Sequence, residues 1–452
     1  MEAKVSDKKG AGLDKAADGN SLAGAHHPGR KVDRGRSNLV VGLTGPFGSG
    51  CSTMCRVLAQ APFGFRPFKI AGDIRREVEQ MGKAIPKGKK GWRKVLQEHG
   101  DTRRRKRIGY WVDKVVERID EAQVGEQRLV IDGFRNFAEV QEIRKIYPRF
   151  FLVAVCAQKD ERWNRVCKDY GDKQNEFEDD DRRDRDEDCE WGQSVQKCVD
   201  DADYVYYNSE HLVVDLGGTE GPKSSKIEKE LKNTAQDFVP LMSGEQPHRD
   251  PTAAEIHIAV AYAQSHSSTC LKRHVGAVIT VTRNGHEFPI SMGFNENPPS
   301  VRTCKSESAC YKDDDMMSKL EARGKKIRCP ACGKPHKGLG EPWNCLNCGA
   351  SLKAWLHPNR NMELCTAIHA EERAVLSLGG RSAEGGTLYV TTFPCFQCAR
   401  LILDAGIKNI VYVEAYPVKD TAVFLRKNGI EEIRPFSGFT ARAFFRVFPK
   451  VN

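Results

Sequence analysis

The chain predicts an α/β protein in two parts: a parallel-sheet domain toward the N-terminus and a three-layer α/β/α domain toward the C-terminus. Three observations predict this. Short apolar runs at Asn38-Leu-Val-Val-Gly-Leu-Thr, Arg128-Leu-Val-Ile-Asp132 and Phe150-Phe-Leu-Val-Ala-Val alternate with helical spacing. That is the pattern of buried parallel strands joined by crossover helices. A second strand–helix series follows residue 250, and it contains cysteine pairs at metal-ligand spacing. At 452 residues, 39% hydrophobic and 29% charged, the chain has room for two or three domains with ample core.

Composition narrows the class. No apolar run approaches the roughly 18–20 residues that a membrane span needs. The N-terminus lacks a signal-peptide h-region, and its Asp and Glu residues argue against a transit peptide. Of the 16 cysteines, six fall into C-x-x-C pairs and the rest are scattered, so a reducing cytoplasm is the simpler expectation. The net charge of +10 suggests phosphate-bearing partners, either nucleotides or nucleic acid.

Residues 1–37 are rich in Lys, Gly, Ala, Asp and Ser, and a disordered tail is expected there. A domain spanning 38–215 follows. Its first strand runs into Gly45-Pro-Phe-Gly-Ser-Gly50-Cys51-Ser52-Thr53. Strand, glycine-rich loop and helix form the layout of a phosphate-binding loop. The spacing fits G-x-x-x-x-G-K-[ST] except that Cys51 stands where the lysine belongs. The backbone cradle and the Ser52 hydroxyl suit a nucleotide phosphate, but without the lysine charge efficient phosphoryl transfer is not expected. Asp132 ends the second strand, where an acidic residue would hold Mg2+ near phosphates. The segment resembles P-loop nucleotide kinases, including dephospho-coenzyme A kinases. A degenerate kinase fold kept for assembly or regulation is the alternative. The basic cluster Arg103–Arg107, near Trp92 and Tyr110, suits a nucleic-acid backbone, a solvated face or a lid over nucleotide phosphates. The acidic stretch 176–188 reads as a solvated loop or helix. Residues 216–250, with Gly-Gly-Thr-Glu-Gly-Pro and a short helical pattern, read as a linker.

The C-terminal domain is expected over 251–452. Apolar spacing at Ile256, Ala259, Val260 and Ala263 predicts a helix near Pro251, and a strand hairpin follows it. Farther on, Cys365-Thr-Ala-Ile-His369-Ala-Glu371 is followed by Pro394-Cys395-Phe-Gln-Cys398. One His and two Cys make a three-ligand set for zinc that leaves the fourth tetrahedral position to water. Zinc brings hydroxide within reach near neutral pH. Glu371, two residues from His369, is placed to carry protons without ligating. A structural zinc or unliganded core cysteines would also put a His and a Cys pair in one domain. The Glu in step with the His, and the Pro before the Cys pair, favour the catalytic alternative. An inserted segment, 325–352, carries Cys329, Cys332, Cys345 and Cys348 as C-x2-C-x12-C-x2-C. Four thiolates close a coordination sphere, so this zinc would be structural.

H-x-E followed by P-C-x-x-C is the pattern of zinc nucleobase deaminases. The run Ser268-Thr-Cys-Leu-Lys-Arg273-His-Val-Gly276-Ala-Val and the Gly293-Phe-Asn295 segment precede it in order. Together they resemble a deoxycytidylate deaminase over about residues 251–435. The resemblance implies that Asn295 hydrogen-bonds the nucleotide; as a residue tolerant of positive φ, it could equally serve only its turn. Arg373 stands where members of the family often have Asn, which leaves the number of substrate phosphates open. A kinase-like domain ahead of such a deaminase resembles the bacterial anti-phage dCTP deaminases. That resemblance implies conversion of dCTP and dCMP to dUTP and dUMP, restraint before infection by a small RNA in some members, and a homo-oligomer. The alternatives are a deaminase acting on RNA or single-stranded DNA, and an RNA-regulated protein whose P-loop domain is the working part.

Overall fold

The computed structural model describes residues 38–82, 89–122, 127–171, 173–185, 191–208, 224–245, 249–308, 365–413 and 419–449, with short pieces between 310 and 348. The expected tail 1–37 lies outside them. So does most of the cysteine-rich insertion, including Cys329. Cys332 and Cys348 are described as separate positions, and Cys345 ends a short hairpin that pairs β8 (Leu339–Gly340) with β9 (Asn344–Cys345).

The architecture is α/β. The first sheet has the order β13 (Gly438–Phe439), β5 (Tyr204–Tyr207), β4 (Phe150–Cys156), β1 (Leu39–Thr44), β3 (Arg128–Phe134), β2 (Arg66–Lys69). The strands from β5 to β2 are parallel, and β13 runs antiparallel to β5. Every residue of β1 is buried. That is why its sequence is continuously apolar rather than alternating, as for a central parallel strand. Helices α1 (Cys51–Ala59), α2 (Ile70–Gln80), α3 (Lys89–Lys106), α4 (Tyr110–Glu121), α5 (Phe137–Ile146), α6 (Lys159–Val166), α7 (Gln174–Arg185), α8 (Val195–Asp200) and α9 (Ser224–Ser243) accompany this sheet. The period-2 alternation sends Val41, Leu43, Val130 and Val153 into the core shared with α1 and α9. Val40, Leu129, Ile131 and Leu152 enter the opposite core with α4 and α5.

The second sheet has the order β12 (Glu432–Pro435), β11 (Asn409–Tyr412), β10 (Thr387–Val390), β6 (Gly276–Arg283), β7 (His286–Phe294). β10, β11 and β12 are parallel, whereas β6 pairs antiparallel with both β10 and β7. The β6–β7 turn is Asn284-Gly285, both at positive φ, as a two-residue hairpin turn requires. One face of the sheet packs Val278, Tyr389 and Val411 with Ile258 and Ala261 of α10 (Ala253–Ser265). Along the chain, α11 (Cys304–Glu307) precedes three helices of the other face: α12 (Ala370–Leu376), α13 (Phe396–Asp404) and α14 (Lys419–Lys427). They cover Ala277, Ile279, Leu388, Val390 and Ile410. The three layers follow directly from this alternation.

Four stretches differ from their sequence expectations. Residues 224–243, inside the expected linker, form the 20-residue helix α9. Leu231, Ala235, Phe238, Val239 and Met242 line one face of it and are buried in the first sheet's core. The acidic stretch is not simply solvated, because α7 buries Phe177, Asp181 and Asp184. The basic cluster on α3 is largely paired within the molecule. Arg104, itself buried, bonds Glu139 at 2.8 Å and Asp101 at 3.0 Å. Arg103 pairs with Glu77, Arg107 with Asp113, and Arg105 lies over Trp191. Finally, the chain returns to the first sheet at its end. β13 and α15 (Ala441–Val447) place Phe439, Ala443 and Val447 in the same core as α1 and α9.

Candidate active site

His369 is the N-cap residue of α12, and Cys395 is the N-cap residue of α13. The two helices pack together, so both N-termini, with their partial positive charge, meet at one place. His369, Cys395 and Cys398 offer ligand atoms that all lie within 4.8 Å of one another, the one such group among the described residues. His369 Nδ1 is 3.2 Å from Cys398 Sγ and 3.4 Å from Cys395 Sγ. Donors at about 2.0 and 2.3 Å from a tetrahedral zinc ion are separated by about 3.5 Å. The donor set therefore fits zinc in chemistry and in spacing.

The charges agree with such a site. Cys395 is held as a thiolate, its pKa lowered to about 4, chiefly by the hydrogen bond from Cys398 and then by that from His369. Cys398 is pushed the other way by the same bond and by burial. His369 is raised to about 10 through hydrogen bonds to Cys365 and then Cys395. Cys365 thus sits against the imidazole as an outer partner, the kind of contact that orients a ligating ring. Glu371, in the first turn of α12, is buried. Burial pushes its carboxyl up to about 7, against the opposing pull of His369. A carboxyl that gains and loses a proton near neutrality is suited to general acid–base work.

Two contacts set the depth of α12. Gly293 of β7 lies beneath it, and a Cβ there would come within 2.2 Å of Ala370 O and 2.5 Å of Ala374 N. The Ser291 hydroxyl donates to Ala374 O from the same strand. Small residues on both elements let the helix lie on the strand and carry Glu371 into the interior.

Asn295 accepts from Val275 N at 2.7 Å and donates from Nδ2 to Arg273 O at 2.9 Å. Its amide is thus bonded to the 273–275 loop. Of the neighbours that knit this wall, only Arg373 stands out in the sequence, as a departure from the family's frequent Asn. Glu296 accepts from Thr269 N and Thr269 Oγ1 at 2.8 and 2.6 Å, and its backbone bridges to Ile368, next to His369. Arg373 donates to Phe294 O and Glu296 O at 3.1 and 2.9 Å. Thr366 donates to Asn297 Oδ1 at 3.0 Å. These residues stand beside the motifs in sequence, but nothing in their spacing reveals that three separate loops meet there.

The P-loop residues lie elsewhere, at the carboxyl edge of the first sheet. Gly45 and Gly50 have φ of 146° and 111°. Cys51 turns inward, donating to Thr44 O at 3.3 Å, and burial raises its thiol pKa. Ser52 Oγ donates to Asp132 Oδ2 at 2.8 Å, and Thr53 N–H bonds back to Gly50 O at 3.0 Å. Lys69 was not singled out in the sequence. Its ammonium group lies 3.0 Å from Ser52 Oγ and 3.3 Å from Asp132. It arrives there because β2 pairs beside β3, with Lys69 opposite Asp132.

Comparison with known proteins places a family likeness in the C-terminal half. Residues 252–414 match the family model described as the cytidine and deoxycytidylate deaminase zinc-binding region. The deoxycytidylate deaminase of Enterobacteria phage T2 is 31% identical over 189 residues, covering 38% of this chain and 87% of the phage protein. The human deoxycytidylate deaminase is 37% identical over 142 residues, covering 27% of this chain and 79% of its own. Among solved structures, shikimate kinase from Acinetobacter baumannii in complex with shikimate covers 47% of this chain and 97% of its own. It does so at 16% identity and a TM-score of 0.28, too low to carry weight. No helix among the described residues is long and apolar enough to cross a membrane.

Proposed function

Because this chain belongs to the deoxycytidylate deaminase family, we propose that it hydrolyses deoxycytidine nucleotides, dCMP and dCTP, to dUMP and dUTP with release of ammonia. The observation that carries the proposal is the buried Glu371 carboxyl, set beside the His369, Cys395 and Cys398 donor set. Those three residues would hold zinc, which when bound supplies the Lewis acidity that makes water a nucleophile near neutral pH. Glu371 takes the proton from the attacking water and delivers it to the ring nitrogen of cytosine. It then takes the remaining proton from the hydroxyl added at the ring carbon and passes it to the amine, which leaves as ammonia as the carbonyl forms. The loops knitted by Asn295, Glu296 and Arg373 form the wall against which the nucleotide is held, and Asn295, fixed by its bonds to Val275 N and Arg273 O, would hydrogen-bond the nucleotide.

Other assignments belong to the same proposal. Cys329, Cys332, Cys345 and Cys348 would close a structural zinc site that staples the insertion. Gly45, Gly50, Ser52, Thr53 and Asp132 form a nucleotide-binding loop in which Ser52 and Asp132 would hold Mg2+. Self-association is supported by β7, the edge of its sheet, which exposes Phe288 and Met292. By its resemblance to anti-phage deaminases, the protein would deplete dCTP during infection. A restraining RNA would find Arg103 and Arg104 of α3 already engaged with Glu77, Asp101 and Glu139.

The test is direct. Purified protein with zinc, given dCMP, dCDP, dCTP and CTP, is expected to yield uracil nucleotides from dCMP and dCTP. No conversion of either, with zinc at the site, would overturn the substrate assignment. Uracil appearing in an oligonucleotide but not in free nucleotide would favour a nucleic-acid deaminase instead.

A further inference from the structure

The geometry points to a built-in competitor for phosphate in the N-terminal half: the Asp184 carboxylate sits on the glycine-rich loop, and a polyphosphate enters only by displacing it together with α7. The inference rests on the proposed phosphate-binding role of that loop and adds what stands in it.

The loop itself favours anions. Gly45, Gly48 and Gly50 all have positive φ, and Gly50, the N-cap residue of α1, offers no side-chain cap. The first amides of a helix have no partner within the helix, and the aligned peptide dipoles attract negative charge. What meets the loop is the chain's own carboxylate. Asp184 is 1% exposed. Its Oδ2 accepts the Phe47 N–H of the loop at 3.2 Å, and its Oδ1 pairs with the Arg135 guanidinium. Arg135 leaves the end of β3 three residues after Asp132, on the same sheet edge as the proposed Mg2+ ligand. One loop amide and one guanidinium are the partners that a phosphoryl oxygen takes. They are also cationic and polar groups that the loop needs, since Cys51 supplies no charge.

The cover over this contact is fastened to the loop. Arg162 makes a buried two-pronged pair with Asp181 of α7, at 2.5 and 3.1 Å, and also donates to Phe47 O at 3.3 Å. Arg165 donates to Gly48 O at 3.1 Å. The Phe47 ring packs on Phe177 and Tyr170, with centroids 5.1 and 6.2 Å apart. Phosphate binding and the seating of α7 are therefore mutually exclusive at Phe47 and Arg135. The loop is closed by default and opened by a ligand with more negative charge than one carboxylate.

ATP binding to the full-length protein, measured by calorimetry for wild type and Asp184→Asn, tests this. The variant is expected to bind ATP at least about tenfold more tightly, because the competing charge is gone while the shape is kept. Amide exchange over residues 174–185 in wild type is expected to speed up when ATP is bound. Equal affinity in the two proteins would overturn the inference while leaving the loop's phosphate role standing. No binding by either at millimolar ATP would remove both. Should the variant fail to fold, wild type decides alone: bound ATP with unchanged exchange over 174–185, or no bound ATP, overturns the inference.

Discussion

Glu371 and Gly293 serve the same helix by opposite means, one by a group it carries and the other by a group it lacks. Glu371→Gln keeps the shape and removes the titrating oxygen. Deamination is expected to fall by about 10²–10⁴-fold, with zinc content unchanged by atomic absorption. A variant that keeps near-wild-type turnover would exclude Glu371 as the proton carrier. Gly293→Ala would drive a methyl group into Ala370 O and Ala374 N. Because both atoms are backbone, α12 must lift. A loss of about 1–3 kcal/mol is expected in denaturant titration, together with a lower turnover. The motif's His and Glu are legible in sequence. The need for Gly293 beneath them is not, because it depends on which strand the helix lies against.

At the scale of elements, the candidate site is a meeting of two helix N-termini. α12 brings His369 and Glu371, and α13 brings Cys395 and Cys398. Chelation is expected to abolish deamination and to make Cys395 react quickly with a thiol reagent, since its thiolate is already favoured. Added zinc should restore activity and protect the thiol. Unchanged reactivity after chelation would argue that no metal is held there. The terminal element behaves differently from its place in sequence. α15 and β13 follow the deaminase sheet, yet they fill the first sheet's core with Phe439, Ala443 and Val447. Removing residues 436–452 is therefore expected to lower the thermal stability of the N-terminal half, read by amide exchange in β1 and β4. Strand order cannot be read from a two-residue strand, whose partner is set by tertiary packing.

Across the whole molecule, the two halves share one apolar core, in which Val40, Phe150 and Val205 pack with Ile258, Val278 and Tyr389, and a buried carboxylate adds a polar tie. Glu255 of α10 closes its own helix's capping box with Thr252. It also accepts the Phe439 N–H at 2.9 Å and bonds Arg249 at 2.7 and 2.8 Å. Arg249 in turn holds Asp237 of α9. Burial pushes Glu255 up, but the bonds from Arg249 and from the Phe439 and Thr252 amides outweigh it and hold its pKa below the usual 4.5. A carboxylate whose folded pKa is depressed contributes stability above its unfolded value, and that stability is lost as pH falls through the folded value. Stability from this tie is thus expected in full above about pH 5 and lost progressively below about 4.5. Arg249→Ala should destabilise the protein by about 3–5 kcal/mol at neutral pH, since it leaves a buried charge unpaired. It should also flatten the acid limb in a melting-temperature series. An identical acid limb in the variant would remove Glu255 as its source.

By itself, the sequence determined the α/β class, the positions of several main strands, the H-x-E and P-C-x-x-C donor set and the glycine-rich loop. Each rests on local spacing: period 2 for strands, short motifs for ligands, a strand-to-helix glycine turn for phosphate. Only the tertiary structure decided that α9 and α15 belong to the first sheet's core, that Arg103 and Arg104 of α3 face internal carboxylates, and that Lys69 and Arg135 stand near a loop lacking its own lysine. Those outcomes depend on contacts between residues tens to hundreds of positions apart. A charge in sequence carries no record of its partner, and only packing settles whether it meets water, a ligand or another charge.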